Sequence, residues 1–422
     1  MSRQHYSGRD LRRALDIEDL RRMALARLPN FVAEYLEGGS EDERTLRNNL
    51  TTFNDHHFVH RVLVDVAERS VASTLFDKPT SMPMVVGPTG FNGLFWRHGD
   101  IAMAHAARKH DIPFTVSIMS SDSLQAIAKE AGGRLWMMLL VIREPQVVER
   151  LIATADDVGC EALVITLDAA VFGNRTWDSR NFSAPLQLSL RSKLDVLLHA
   201  RWMTQVLFRG LPEFGNLSEL LPPGKRNALD GARYLTAHSD ASLTWDAIRA
   251  LRDRWPRKLI LKGILAVEDA ERAAQLGVDG IILSNHGGRQ LDGDVAPMQV
   301  LADVVERVGK RVEVMIDGGF RRGTDIAKAL ALGARAVVLG RAPLYGLAAG
   351  GEEGAHRALD ILRAELDRTL ALLGCPSCEE LSPKFVHSSR VGTKPVKDVI
   401  EVTPHVRDEA PSAVRGSRQK TS

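Results

Sequence analysis

From about residue 80 onward the chain alternates two patterns. Short apolar runs, of the kind that fill both faces of a buried parallel strand, are followed by stretches with an apolar residue at every third or fourth position, the period of a helix. The runs are Met84-Val-Val-Gly-Pro-Thr-Gly90, Pro113-Phe-Thr-Val-Ser117, Leu135-Trp-Met-Met-Leu-Leu140, Ala162-Leu-Val-Ile-Thr-Leu-Asp168, Leu259-Ile-Leu-Lys-Gly263, Gly280-Ile-Ile-Leu-Ser-Asn-His286, Val312-Glu-Val-Met-Ile-Asp-Gly-Gly319 and Ala336-Val-Val-Leu-Gly-Arg341. Helical spacing lies between them, over 101–110, 124–129, 146–158, 243–255, 267–276, 300–308 and 324–332. Eight strand-then-helix repeats predict an α/β fold, a (β/α)8 TIM barrel spanning residues 80–386. A doubly wound sheet is the alternative. It is disfavoured because no strand leads through a GxGxxG turn into a helix.

The flanks read differently. Residues 1–79 are expected to be an N-terminal helical segment. Asp16 can cap a helix through Ile17, Leu20, Met23 and Leu28, and Pro29 restarts an apolar face through Phe31, Val32, Tyr35 and Leu36. The gap after the fourth strand, residues 182–240, is too long for a plain βα loop and reads as an insertion. Within it, Leu194 to Pro212 mixes leucines with basic residues, Trp202 and Phe208. That stretch supports two readings, a peripheral membrane contact through residues 190–215 or a lid over the barrel mouth. Ala355 to Leu373 is an amphipathic helix that would close the barrel, and residues 387–422 read as a polar, extended or disordered tail.

Composition narrows the classes. The chain has 422 residues, 44% hydrophobic and 26% charged, an ordinary globular mixture. A net charge of +2 gives no global pull towards nucleic acid. Three cysteines make no disulfide framework and point to a reducing compartment. Cys375-Pro-Ser-Cys378 has no second pair to complete a zinc site, so it reads as structural and no metal is expected. No signal peptide and no run of membrane-spanning length is visible, so the expected location is cytoplasmic, or peripheral on the inner face of the cytoplasmic membrane.

In a barrel of this kind the carboxyl ends of the strands meet at the active site. Those ends carry Thr89-Gly90, Ser117, Thr166 with Asp168, Lys262, Ser284 with His286, Asp317-Gly318-Gly319 and Gly340-Arg341. A histidine at the end of a buried strand, followed by two glycines and Arg289, has few structural jobs. Asp168 could orient His286 and stabilise its imidazolium. Arg175 and Arg289 could grip an anionic substrate. The glycines and arginines after strands seven and eight stand where such barrels hold phosphate. Taken one at a time, each arginine would more often be a surface ion pair, and each glycine is as often a plain turn. A phosphate site beside a buried lysine suggests a cofactor with a phosphate and an electron-rich ring, and flavin mononucleotide (FMN) fits.

Ser284-Asn-His-Gly-Gly-Arg-Gln-Leu-Asp292 resembles the signature of the FMN-dependent α-hydroxy acid dehydrogenases and oxidases. Asp317-Gly-Gly-Phe-Arg-Arg-Gly323 and Gly340-Arg341 are similar to the phosphate motif of that family. The resemblance covers about Asp16 to Val386, and Gly87 to Gly93 and His199-Ala-Arg-Trp202 are most similar to its membrane-associated, mandelate-oxidising branch. It implies that His286 takes a proton from the substrate with Asp168 as its partner. It implies that Arg175, Arg289 and Tyr35 hold the carboxylate and that Lys262 sits beside the flavin ring. Pro88, Thr89, Gly90, Ser117, Met138, Thr166, Ser284, Asp317, Gly318, Gly319, Phe320, Arg321, Gly340 and Arg341 would then contact FMN. The family's third strand normally ends Gln-Leu-Tyr, whereas this one reads Met138-Leu139-Leu140. One flavin hydrogen bond and one substrate partner are therefore missing, and the pocket is more apolar.

The implied reaction is oxidation of a mandelate-like or other bulky (S)-2-hydroxy acid to the 2-oxo acid, with electrons passed to a quinone-type acceptor. An oxygen-using oxidase is the alternative, and Gly90, where many oxidase relatives carry alanine, leans against it. A catalytically weakened FMN-binding protein rests on Met138 and Leu140 alone. Isomerisation of a phosphorylated substrate would not need this His–Asp pair with two arginines. The resemblance also implies a homo-oligomer, a tetramer.

Overall fold

A computed structural model describes Tyr6 and residues 8–388, apart from positions 141, 185–186, 209, 219–220 and 222–226. The tail expected at 387–422 therefore lies outside the described residues from 389 onward.

Eight parallel strands close into a barrel: β1 (Met84–Val86), β2 (Phe114–Ser117), β3 (Leu135–Leu140), β4 (Ala162–Thr166), β5 (Lys258–Ile264), β6 (Gly280–Leu283), β7 (Glu313–Ile316) and β8 (Ala336–Leu339). The apolar runs become strands because helices cover their outer faces and side chains fill their inner faces, so both sides need apolar residues. In six of the eight every residue is buried. Register brings the chemistry to one level. Thr166 pairs with Leu140 on one side and with Lys262 on the other, and Lys262 pairs with Ile282.

The N-terminal segment forms α1 (Ile17–Leu25), α2 (Asn30–Glu37) and α3 (Arg44–Thr51). Asp16 caps α1, its carboxylate accepting from the Asp19 N–H at 2.9 Å. Helices α2 and α3 lie across the barrel mouth, as contacts of Tyr35 and Asn49 described below show. Beyond Asp55 the segment is not helical, contrary to expectation. Ser73–Leu75 and Lys78–Thr80 form a hairpin, and His56–Phe58 pairs with Val386–Ser388. The hairpin tip covers the amino ends of the barrel strands. Phe76 packs on Trp136 at 5.8 Å between ring centroids, and its N–H donates to Glu313. Three-residue strands carry too little alternation to be read from sequence.

The closing helix α6 (Arg341–Leu373) is longer than expected and bends at Gly350 and Gly351. Gly351 has φ +65°, and a Cβ there would lie 2.5 Å from the Trp96 ring. In the insertion, α4 (Leu190–Leu198) leads through Ala200–Trp202 into a π-helical turn, Met203–Leu207, and α5 (Ala228–His238) follows. Both readings of this stretch have a physical counterpart. Trp202 is buried, donates Nε1–H to the Leu94 carbonyl at 2.7 Å and meets Phe31 edge to face. Leu190, Leu194, Leu197 and Leu198 on α4 point to solvent. Cys375 and Cys378 are buried and unpaired, with both thiol pKa values pushed up by burial, Cys378 to about 12.

Candidate active site

The site is built on the loop after β6. His286, Gly287 and Gly288 take φ values of +59°, +64° and +75° in succession. Glycine accepts this region freely, but a histidine there is strained and must be held by its surroundings. The His286 N–H donates to Ser284 Oγ at 2.9 Å, and the Gly288 N–H donates to Asn285 Oδ1 at 3.1 Å. Asn285 in turn exchanges two amide hydrogen bonds with Asn49 of α3, at 2.7 and 2.9 Å. A Cβ on Gly288 would stand 2.6 Å from the Leu46 backbone nitrogen. The loop is therefore locked against the N-terminal helices.

Its chemistry follows from two carboxylates. His286 Nδ1 lies 3.0 Å from Asp168 Oδ1, so Nε2 is the ring nitrogen left for proton transfer. Burial works against the charge on Asp168, but His286 and Lys262 outweigh it and hold its pKa below the ordinary carboxylate value. Lys262, buried, donates to Ser284 Oγ at 2.7 Å and pairs with Asp317 at 3.0 Å. Burial alone would discharge it. Asp317 and Asp168 overcome that, and its pKa is raised.

Three arginines crowd the opposite wall. Burial, with Arg289 beside each, lowers both Arg175 and Arg341 to about 10, so they stay charged at neutral pH. Arg175 Nε is buried without a partner. Arg289 Nη1 donates to the Tyr35 and Gly38 carbonyls at 2.8 and 2.7 Å, and its guanidinium covers the Tyr35 ring at 4.9 Å. Mutually repelling cations held together out of water mark a place for an anion. Asp178 stands 3.9 Å from Arg289 Nη2, and burial raises its pKa.

The far end suits a phosphate. Gly318 and Gly319 have φ near +90°, and nothing lies within 4 Å of where a Gly340 side chain would begin. Gly340 caps α6, so the first N–H groups of that helix face open space. Arg321 and Arg341 line the same cavity. Arg341 is also a clamp: it donates to the carbonyls of Leu36, Gly38 and Gly287 at 2.8–2.9 Å, fixing α2 to the His286 loop. Buried Thr166 Oγ1 and Asp317 Oδ1 have no hydrogen-bond partner. The orphaned Asp317 Oδ1 next to Gly318, the open space at Gly340 and a buried, charged lysine fit a bound flavin phosphate such as FMN.

One cavity gathers most of the residues singled out in the sequence. Tyr35, Pro88, Thr89, Gly90, Ser117, Met138, Arg175, Lys262, His286, Arg289, Asp317, Gly318, Gly319, Phe320, Arg321, Gly340 and Arg341 all line it. Asp168, Thr166 and Ser284 do not: Asp168 stands behind His286 and Ser284 between Lys262 and Asp317, while Thr166 lines a neighbouring cavity with Leu140 and Gly263. Leu140, Met119 and Phe172 make the wall apolar where Met138 also stands. Sequence reading missed Gln290. Its amide donates to the carbonyls of Asp168 and Val171 and accepts from the Gly173 N–H, tying the loop after β4 to the loop after β6. Its signal was its place inside the 284–292 signature, next to Arg289.

Comparisons with known proteins place the chain in a family. The FMN-dependent dehydrogenase family profile matches residues 24–388. The (S)-mandelate dehydrogenase of Pseudomonas putida is 45% identical over 388 residues, covering 91% of this chain and 97% of that protein. A putative L-lactate dehydrogenase of Mycobacterium tuberculosis is 39% identical over 386 residues, covering 91% and 92%. Among solved structures, the monotopic membrane protein (S)-mandelate dehydrogenase superposes with a TM-score of 0.85 at 44% identity, covering 89% of this chain and 100% of that one. A mandelate oxidase variant with (S)-mandelic acid superposes at 0.74 with 34% identity, covering 90% and 99%. The chain thus belongs to the FMN-dependent dehydrogenase family and is an FMN-dependent α-hydroxy acid dehydrogenase.

Proposed function

We propose that this enzyme oxidises a bulky, mandelate-like (S)-2-hydroxy acid to the 2-oxo acid and delivers the electrons to a quinone-type acceptor. The carrying observation is the contact between His286 Nδ1 and Asp168, which leaves Nε2 facing a cavity walled by arginines on one side and apolar residues on another. Arg175 and the free face of Arg289 hold the carboxylate, and the Tyr35 hydroxyl adds a hydrogen bond. His286 Nε2 accepts a proton from the substrate, and Asp168, kept ionised, holds the resulting imidazolium in place. Pro88, Thr89, Gly90, Ser117, Met138, Thr166 and Ser284 are assigned to the flavin ring side. Asp317, Gly318, Gly319, Phe320, Arg321, Gly340 and Arg341 are assigned to the phosphate side. Bound FMN supplies a two-electron acceptor, and the Lys262 ammonium supplies positive charge beside it.

The substrate class rests on Met138 and Leu140, which replace polar groups of the family pattern with apolar ones, and on the similarity to mandelate dehydrogenase. The acceptor rests on Gly90 and on the solvent-facing leucines of α4, proposed as part of a membrane contact through residues 190–215. Among the described residues no helix is long and apolar enough to cross a membrane. Oxygen is the second reading, favoured by the match to mandelate oxidase. Anaerobic mixing of the FMN-loaded protein with (S)-mandelate, (S)-lactate and a long-chain 2-hydroxy acid tests the chemistry. Rapid bleaching of the flavin by one of them, lost in His286→Ala, is expected. A yellow protein that none of them bleaches would sink the proposal. Oxygen consumption against reduction of a quinone analogue then separates the two acceptors. A homotetramer is expected by light scattering.

A further inference from the structure

A second cavity of about 630 Å³ adjoins the reaction cavity and shares Tyr35, Met119, Phe172 and Arg175 with it. Nothing in the reaction as described uses it. Its remaining walls are mainly apolar, with Phe31, Phe91, Leu94, Phe182 and Ala232; Asp178 also lines it, and serines and Thr236 stand at its rim. Its size is that of a small-molecule site. The walls are firmly built. Phe91 packs on buried Phe214 at 4.5 Å between ring centroids, and Phe31 is held edge-on by buried Trp202. Trp202 also holds Leu94 through its carbonyl.

We propose that this chamber receives the distal part of the substrate's C2 substituent, and that the substrate is a 2-hydroxy acid with an extended aliphatic chain, longer than a phenyl ring. The inference rests on the carboxylate assignment to Arg175. That residue lines both cavities, so a carboxylate held there sets C2, one bond from the carboxylate carbon, near the junction. The hydrogen and hydroxyl on C2 must face the reacting groups, so the third substituent leaves through the remaining apolar space. Met119 and Phe172 flank the junction, and Leu140, which lacks the hydroxyl of the family's tyrosine, extends the apolar wall on the reaction side. Each methylene seated in the chamber leaves water, which is worth roughly a fourfold gain in transition-state affinity.

The test is a homologous series, (S)-lactate and the 2-hydroxy derivatives of hexanoate, octanoate and decanoate, mixed anaerobically with the FMN-loaded enzyme. The expected second-order rate constant for flavin bleaching climbs roughly fourfold per methylene and levels off once the chamber is full. In Ala232→Trp, and in Thr236→Trp at the exposed rim, that dependence on chain length should flatten. If lactate bleaches the flavin and longer acids do so no faster, the chamber proposal is overturned while the dehydrogenase reading stands. A length dependence that survives both tryptophans places the chain elsewhere and also overturns it. If no hydroxy acid bleaches the flavin, the parent reading fails. The chamber is then judged by inert carboxylates: decanoate should perturb the flavin spectrum at far lower concentration than acetate, and equal potency overturns the proposal.

Discussion

Asp168 is the residue on which the proposed base depends. Its carboxylate is held below its ordinary pKa by His286 and Lys262 against the pull of burial, so it remains an anion across the working pH range. Asp168→Asn keeps the shape and removes the charge that stabilises a protonated His286. The rate of flavin reduction should fall by about 10²-fold or more, with far less change in substrate affinity, in stopped-flow measurements. An equal loss in affinity alone would show that Asp168 serves binding. Leu140 makes the opposite case. It lines the cavity where the family pattern has a tyrosine, and an aliphatic side chain offers the substrate no hydrogen bond. Leu140→Tyr should therefore improve (S)-lactate turnover relative to a bulky acid, read as the ratio of their kcat/KM values. An unchanged ratio would mean that this wall does not contact the substrate.

Among the elements, the locking of α3 onto the loop after β6 decides how well the site is formed. Asn49 and Asn285 satisfy each other in a buried pair, and Asn285 also fixes Gly288 and the Val295 carbonyl. Asn49→Leu strands one amide of that pair, which typically costs about 1–3 kcal/mol. A lower melting temperature and a weaker hold on FMN are expected together. Calorimetry showing full stability would remove Asn49 from this role. The pairing was not visible in the sequence, since the two residues are far apart in the chain: Asn285 sits inside the 284–292 signature, but Asn49 lies in no motif. The barrel was visible, because strands buried on both faces read as unbroken apolar runs such as Leu135 to Leu140. The mouth was visible as well, because His286, Lys262 and Asp317 sit at strand ends, where topology alone assigns direction. The hairpin around Phe76 was not, because two three-residue strands give no period. Arg341 carried a phosphate signal in the sequence, while its clamp on three carbonyls depends on the path of α2 and had none.

Across the whole molecule, two features give the folded state its response to pH and to surfaces. Asp100 is fully buried, accepting from Asn92 Nδ2 at 2.7 Å and the Ser121 N–H at 2.8 Å, and Asn92 in turn meets Thr89. Burial and the neighbouring Asp122 raise its pKa from 3.8 to about 7. Between those values the native state holds a proton that the unfolded chain has released. Stability should therefore decline as pH rises from about 4 to 7, by up to about 1.4 kcal/mol per pH unit, and then level off. Asp100→Asn should remove that slope, seen as melting temperatures that diverge from the wild type between about pH 4 and 7. Parallel curves would place the buried charge elsewhere.

The membrane contact proposed for the insertion bears on where the molecule resides. Leu190, Leu194, Leu197 and Leu198 recur at helical spacing on α4 and are 56–83% exposed, and Phe208 beyond them is 83% exposed. The other side of the same stretch is anchored. Trp202 is buried, and Asp195 accepts from the Asn30 N–H at 2.6 Å. A helix fixed through one face with leucines on the other, and Arg191 and Lys193 exposed beside them, has the layout of an interfacial anchor. Replacing Leu194, Leu197, Leu198 and Phe208 together with serine touches none of the reaction cavity, so flavin reduction should persist. Sedimentation with vesicles containing anionic lipid should fall sharply. A variant that still sediments as the wild type does would show that α4 faces something other than a bilayer. Leucines at this density, exposed on a helix whose opposite face is secured to the barrel mouth, would otherwise stand in water at a cost that burial in lipid removes, at about 25 cal/mol for each Å² covered.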